Sequence, residues 1–312
     1  MTGHDIQMNY KTAVLNTLQY FNIFRHPLFF EEIHRFCGLS ICKKELKELV
    51  NEMVADGTII LIDGCYLLEK NAALVHKRKT GATRAQLLMQ HAQQSASVIS
   101  RFPFVKNVSI SGSLSKGYAN EKSDIDLFII TQKNRLWICR SLLHLYKKMT
   151  FLKGKEHSYC MNYFIDESKL CLEEQNIFTA TELATLIPMY NTEVHRELIM
   201  ANKGWAIKFL PNIPWSTDMV FTDDNTHFLR RLAEGVINLC LPKMLNLFLM
   251  NITDSWWRLK WRLKKYPMQD YDLAMKTRWY VSKNHPLNYQ KKIMHKVQQE
   301  DAKKKEKIAA TF

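Results

Sequence analysis

The residues best suited to chemistry lie between Ile110 and Ile130, in the stretch ISGSLSKGYANEKSDIDLFII. Gly112 and Ser113 end one short apolar run, and Asp124 and Asp126 stand at the head of the next. Alternate side chains of a strand share a face, so both carboxylates point one way while Ile125 and Leu127 point the other. Like charges at that spacing repel unless a cation sits between them. Gly112 permits a tight turn and a close approach of backbone to a ligand. From Ser113 onward a helical turn opens whose N–H groups can hold phosphate oxygens, and Gly117 ends it. Paired carboxylates beside a phosphate cradle form a site for Mg²⁺ that also bridges a nucleoside triphosphate. Taken alone, SDID is only a polar entry into a strand. Its coupling to Gly-Ser across ten residues, with apolar runs on both sides, selects the metal reading.

Elements must position these groups. Up to about Lys70 the pattern is helix, helix, helix, hairpin. Val14, Leu15, Leu18 and Phe21 make a helical face that Pro27 stops. FFEEIHRFCG is a short helix closed by Gly38. Ser40 is the expected N-cap for a third helix with Leu46, Leu49, Val50 and Met53 on one side. Asp63-Gly64, between two apolar runs, favours a type I′ turn. This is the element order of a winged helix. A connecting helix follows from about Ala73 to Phe102. VKNVSI, IDLFIIT and YCMNYFID are strand candidates, RLWICRSLLHLYKKMTFL is a helix, and ATELATLIPMY and TEVHRELIMAN are expected to be helical. Beyond Trp205 everything reads as helical or irregular, and the lysine-rich end is expected to fray. The expectation is an α+β protein with a winged-helix unit at 1–72, a central domain with a small mixed sheet and leading helix at 73–204, and a basic helical region at 205–312.

GSLSKGYANEKSDIDL resembles the signature of the DNA polymerase β-like nucleotidyltransferase superfamily, in its spacing closest to the small bacterial members. The resemblance covers roughly Phe104 to Asp166. CMNYFID, NIFTATELATLIP and HPLNYQKK extend it more loosely to bacterial proteins that carry this domain behind an N-terminal winged helix. The resemblance implies transfer of a nucleoside monophosphate from an NTP, with ATP the expected one, to an acceptor, with release of pyrophosphate. It implies that Gly112 and Ser113 hold the triphosphate within the Gly112–Gly117 turn, that Lys116 touches phosphate, and that Asp124 and Asp126 coordinate Mg²⁺. The family has a third carboxylate on a neighbouring strand. Asp166, at the end of YCMNYFID, is the candidate; Asn162, on the same face by alternation, is the alternative occupant of the expected place. Asp166 departs from the usual pattern in standing at the strand exit, with Glu167 after it.

Composition bounds the rest. A hydrophobic content of 46% supports real cores. The seven cysteines are odd in number and lack a CxxC pair, which fits reduced thiols and no zinc site. The N-terminal residues lack the basic and apolar regions of a signal peptide, so the cytoplasm is the expected compartment. VINLCLPKMLNLFLM, interrupted by Pro242, Lys243 and two asparagines, is too short to span a membrane. It reads as packed helix, with an interfacial helix as the alternative because a basic stretch follows. Net charge is +14, and from Trp256 onward 15 Lys/Arg stand against 5 Asp/Glu. That region could meet nucleic acid, an acidic partner or anionic lipid. In SWWRLKWRLKKY, Trp256, Trp257 and Trp261 alternate with cations as in base-stacking surfaces. The simpler reading turns Trp257, Trp261 and Leu259 into a core. The rival functional reading is a non-catalytic, nucleotide-sensing DNA- or RNA-binding regulator. Its third-helix cations Lys43, Lys44 and Lys47 are offset by Glu45, Glu48 and Glu52.

Overall fold

The computed structural model describes residues 3–151, 160–215, 228–240, 243–285, 288 and 290–299. Three helices, α1 (Gly3–Asn22), α2 (Phe30–Phe36) and α3 (Lys43–Ala55), precede an antiparallel hairpin of β1 (Ile60–Ile62) and β2 (Cys65–Leu67). Leu46, Leu49, Val50 and Met53 of α3 are buried, the i, i+3, i+4, i+7 stripe of a helix packed on one side. The N-cap of α3 is Cys42 rather than the expected Ser40. Its Sγ accepts from Glu45 N at 3.4 Å, and Glu45 Oε2 accepts from Cys42 N at 3.4 Å, closing a capping box with sulfur in place of the usual hydroxyl.

The connecting helix α4 (Ala72–Ser100) leads into the central sheet. There follow β3 (Val105–Ile110), a 3-10 turn at Leu114–Lys116, β4 (Asp126–Thr131), α5 (Leu136–Phe151), β5 (Cys160–Asp166), α6 (Ile177–Thr185), β6 (Ile187–Tyr190) and α7 (Thr192–Ala206). Then come α8 (Phe228–Cys240), α9 (Lys243–Leu263), a short helix at Tyr271–Ala274, β7 (Thr277–Arg278) and β8 (Val281–Lys283). The strand order is β6-β3-β4-β5-β8-β7, with β4 and β5 parallel and the other pairs antiparallel. A parallel pair needs a crossover, and α5 supplies it.

Two sequence expectations are corrected here. The run ATELATLIPMY was expected to be helical, but its second half is β6, paired with β3. Pro188 cannot donate to a ladder, so it ends the helical pattern and is tolerated because β6 is an edge strand. The C-terminal region was expected to be helical or irregular, yet β8 pairs with β5 and β7 with β8. Strands of two and three residues are too short to show an alternation, and the open edge of β5 creates them by pairing. The lysine-rich end lies outside the described residues.

Cores lie on both faces of the sheet. Phe128, Ile130 and Ile165 pack with α6, α7 and the N-terminal helices. Leu127, Ile129 and Phe164 pack with α4 and α5, and the inner sides of α8 and α9 complete that layer. Fully burying each such side chain is worth about 1.5–3 kcal/mol. The sheet is thus held rigidly between two helical layers, and the ends of β3, β4 and β5 become a fixed platform.

Candidate active site

The site is built where β3 ends and β4 begins. Ser111 N donates to Asp126 O at 2.9 Å, so the antiparallel ladder runs up to the turn and brings Gly112 against Asp126. Gly112 has φ +68, and a Cβ there would stand 2.4 Å from Asp126 Oδ2. The glycine is therefore required both by its backbone conformation and by the carboxylate beside it. The turn is closed on itself. Ser115 Oγ donates to Gly112 O at 2.9 Å, Lys116 Nζ to the same oxygen at 3.0 Å, and Lys116 N to Ser113 O at 3.0 Å. Ser113 is exposed, and Gly117 ends the turn in the left-handed region at φ +67. Tyr118 then packs its ring where a Cβ on Gly81 would stand 2.3 Å away, which ties the following loop to α4.

Asp124 and Asp126 come to the same platform. Asn162 Nδ2 donates to Asp126 Oδ1 at 3.2 Å, and the Cys160 thiol donates to Asp124 Oδ2 at 3.7 Å. Asn162 Nδ2 also lies 3.6 Å from Cys160 Sγ, so β5 links the two carboxylates through adjacent side chains. Burial first, then the charges of Asp124 and Glu182, push the Asp126 carboxyl up to about 6, against the Asn162 hydrogen bond and the Lys116 charge. Glu182 of α6 was not singled out in the sequence. It reaches the site from the sheet's covering layer and pairs with Lys116 at 2.8 Å. A lone acid in the otherwise apolar and hydroxylic helix IFTATELAT was the available signal.

Asp166 does not join the site. It pairs with Thr131, at the opposite end of β4 from Asp126, roughly 17 Å away at a strand's rise per residue. It is fully buried, accepting from Asn134 N at 2.6 Å, Ser168 N at 3.0 Å and Ser168 Oγ at 2.5 Å. Strict alternation from Asn162 puts Asp166 on the site's face, but the register of β5 shifts there. Leu127 faces Met161, and Phe128 faces Tyr163. Asn162 is the extra residue of a bulge, so each later residue of β5 changes face. Asp166 follows Phe164 and Thr131 to the other side, while Tyr163 stacks on Phe128, with centroids 5.1 Å apart.

Residues 92–178 match a family model described as a nucleotidyltransferase domain. The match supports the nucleotidyltransferase superfamily for this part of the chain, and with it a transferase role and an NTP substrate. Its span contains the Gly112–Gly117 turn, Asp124, Asp126, Asn162 and Asp166, while Glu182 lies just beyond it. No curated protein and no solved structure matches the chain.

Nucleotidyltransferase domains generally use divalent metals. Among the described residues no three His, Cys, Asp or Glu side chains gather as a metal cage. The donor set fits Mg²⁺ nonetheless, since Mg²⁺ is held by one or two carboxylates with phosphate oxygens and water completing its shell. Burial first, and then the neighbouring charges, raise the Asp126 carboxyl, and a cation at this position would offset both. Elsewhere, Trp257 and Trp261 are buried, as the core reading of SWWRLKWRLKKY required, whereas Leu259 is exposed rather than buried, as is Trp256.

Proposed function

We propose that the protein is a Mg²⁺-dependent nucleotidyltransferase that moves a nucleoside monophosphate from an NTP, with ATP expected, to an acceptor, releasing pyrophosphate. The observation that supports it best is the contact of the Asp126 carboxylate with Gly112, inside a segment matching a nucleotidyltransferase domain. In this reading Asp124 and Asp126 hold Mg²⁺, and Gly112 and Ser113, at the start of the turn that Gly117 ends, seat the triphosphate, since the N–H groups of Lys116 and Gly117 are spent on Ser113 O and Leu114 O. Bound there, Mg²⁺ supplies charge neutralisation for the α-phosphate and the leaving group. The chain contributes orientation. The Gly112 turn fixes the triphosphate against the carboxylates, and Asn162 fixes the Asp126 carboxyl through one oxygen. Lys116, held between Gly112 O and Glu182, stands ready to exchange Glu182 for a phosphate oxygen. The N-terminal helices and hairpin serve as a winged-helix unit, and the protein works in a bacterial cytoplasm.

The test is incubation with each α-³²P-labelled NTP, Mg²⁺ and a cell extract, followed by identification of the labelled molecule. Transfer that disappears in Asp126→Asn, while that variant melts normally, supports the reading. Absence of labelled product with every NTP, or labelling that Asp126→Asn leaves intact, overturns it. Nucleic-acid binding that falls steeply with salt and is unaffected by Asp126→Asn, with no transfer, assigns the chain to the regulator class.

A further inference from the structure

The helices α8 and α9 carry an exposed apolar surface that the nucleotidyl-transfer reading does not use. On α8, Phe228, Leu232, Val236 and Leu239 are exposed at i, i+4, i+8 and i+11. On α9, Phe248, Ile252, Trp256, Leu259 and Leu263 are exposed at i, i+4, i+8, i+11 and i+15. Both sets are single stripes at helical spacing. Leu239 is 88% exposed, Phe228 76% and Leu263 73%, unlike side chains turned into a core. Large apolar side chains left in water along two successive helices point to an interaction surface.

The opposite sides of both helices are committed to the protein. Ile237, Leu245 and Leu249 pack on the sheet's second core. Arg230 donates to Ser100 O at 3.0 Å and Tyr190 Oη at 2.9 Å, and Asn246 Oδ1 accepts from Trp137 N at 2.8 Å. By length and composition the bent pair meets the requirement for crossing a bilayer, but extraction would strand these buried polar groups. No single helix among the described residues is long and apolar enough to cross a bilayer. Only the outer stripes are available.

Charge selects the occupant. At 100° per residue, Lys260 and Arg262 fall on the two flanks of the α9 stripe, and both are exposed. Lys260 Nζ lies 5.6 Å from the Trp256 ring centroid, and exposed Lys264 and Lys265 follow the helix. Among the described residues these four cations make no ion pair with a carboxylate. A second copy of a +14 chain seated on this face would bring the same cations together. An anionic lipid surface accepts the aromatic and aliphatic stripe and neutralises its flanks at once. We infer that the outer faces of α8 and α9 seat this protein on an anionic membrane surface, with the stripes at the acyl boundary and Lys260, Arg262, Lys264 and Lys265 at the headgroups.

The inference stands apart from the catalytic reading, and co-sedimentation of the full chain with vesicles tests it. Binding is expected to vesicles of phosphatidylcholine mixed with phosphatidylglycerol, weakening as salt rises, and not to phosphatidylcholine alone. Trp256→Asp with Leu259→Asp is expected to lower affinity ~100-fold or more. Lys260→Gln with Arg262→Gln, which leaves the stripe intact, is expected to lower it about 30-fold. Asp126→Asn should bind vesicles as the wild type does, so loss of transfer and loss of binding are separable. No uptake by anionic vesicles, or uptake that neither double variant reduces, overturns the inference. A dimer in sedimentation velocity that Trp256→Asp with Leu259→Asp dissolves, without vesicle binding by the wild type, assigns the face to a second copy and also overturns it.

Discussion

Asp126 and Asp166 occupy opposite ends of one pair of parallel strands, and their surroundings differ in kind. Asp166 is sealed from water and met by Asn134 N, Ser168 N and Ser168 Oγ, so its charge is already answered by the protein. Asp126 has the Asn162 amide on one oxygen, Gly112 against the other, and the like charges of Asp124 and Glu182 nearby. One carboxylate is used up in holding a loop. The other is kept short of donors and close to its own kind, an arrangement that costs stability and that a cation with a polyphosphate would relieve. What separates the structural acid from the one proposed to act is the supply of donors around it.

The most severe way to break this contrast is at Asp126. Asp126→Asn should reduce nucleotide incorporation by ~10³-fold or more, on the order of an electrostatic group lost from an active centre. The same change removes one of three crowded charges, so the metal-free variant should melt no lower than the wild type. A variant that unfolds while retaining specific activity would reverse the assignment. Asp166→Ala is the mirror experiment. It leaves buried donors without a partner and should lower unfolding stability by about 1–3 kcal/mol. Incorporation per folded molecule should stay within about twofold of wild type, and a selective loss of activity would restore Asp166 to the site.

Gly112→Ala probes the contact that distinguishes the two ends. The left-handed backbone alone costs about 1–2 kcal/mol for a residue with a Cβ, and that Cβ must displace Asp126 Oδ2. Denaturant unfolding and labelling assays should fall together; normal activity would mean that the turn and the carboxylate act independently. The smallest effect is expected from Asn162→Asp, which supplies the missing third carboxylate. Metal-free stability should drop by about 1 kcal/mol through like-charge crowding, while the melting shift on adding Mg²⁺ should exceed that of the wild type. An equal or smaller Mg²⁺ shift would place the cation away from β5.

Much of the site was legible residue by residue because its parts are local. A glycine before a turn, a serine opening it and two aspartates in alternate strand positions need only neighbouring residues to be read. The third carboxylate was misread for the opposite reason. Asn162 and Asp166 share a face in a regular strand, and the bulge that separates them exists only because β5 pairs with β4. Glu182 was passed over because nothing in the order of residues says that α6 covers the face on which Asp126 stands. The strand at Ile187–Tyr190 and the hairpin at Thr277–Lys283 were likewise invisible, since each is made by an edge that comes from elsewhere in the chain.

The order of residues determined by itself that a strand, a glycine-serine turn and an acidic strand entry follow one another, because torsional preference and side-chain alternation act over a few residues. Tertiary structure decided which acids meet, which one is neutralised by loop amides, and which apolar helical faces are left for water or lipid. Those outcomes depend on pairing register and on layer packing, and both are set by contacts between residues far apart in the chain.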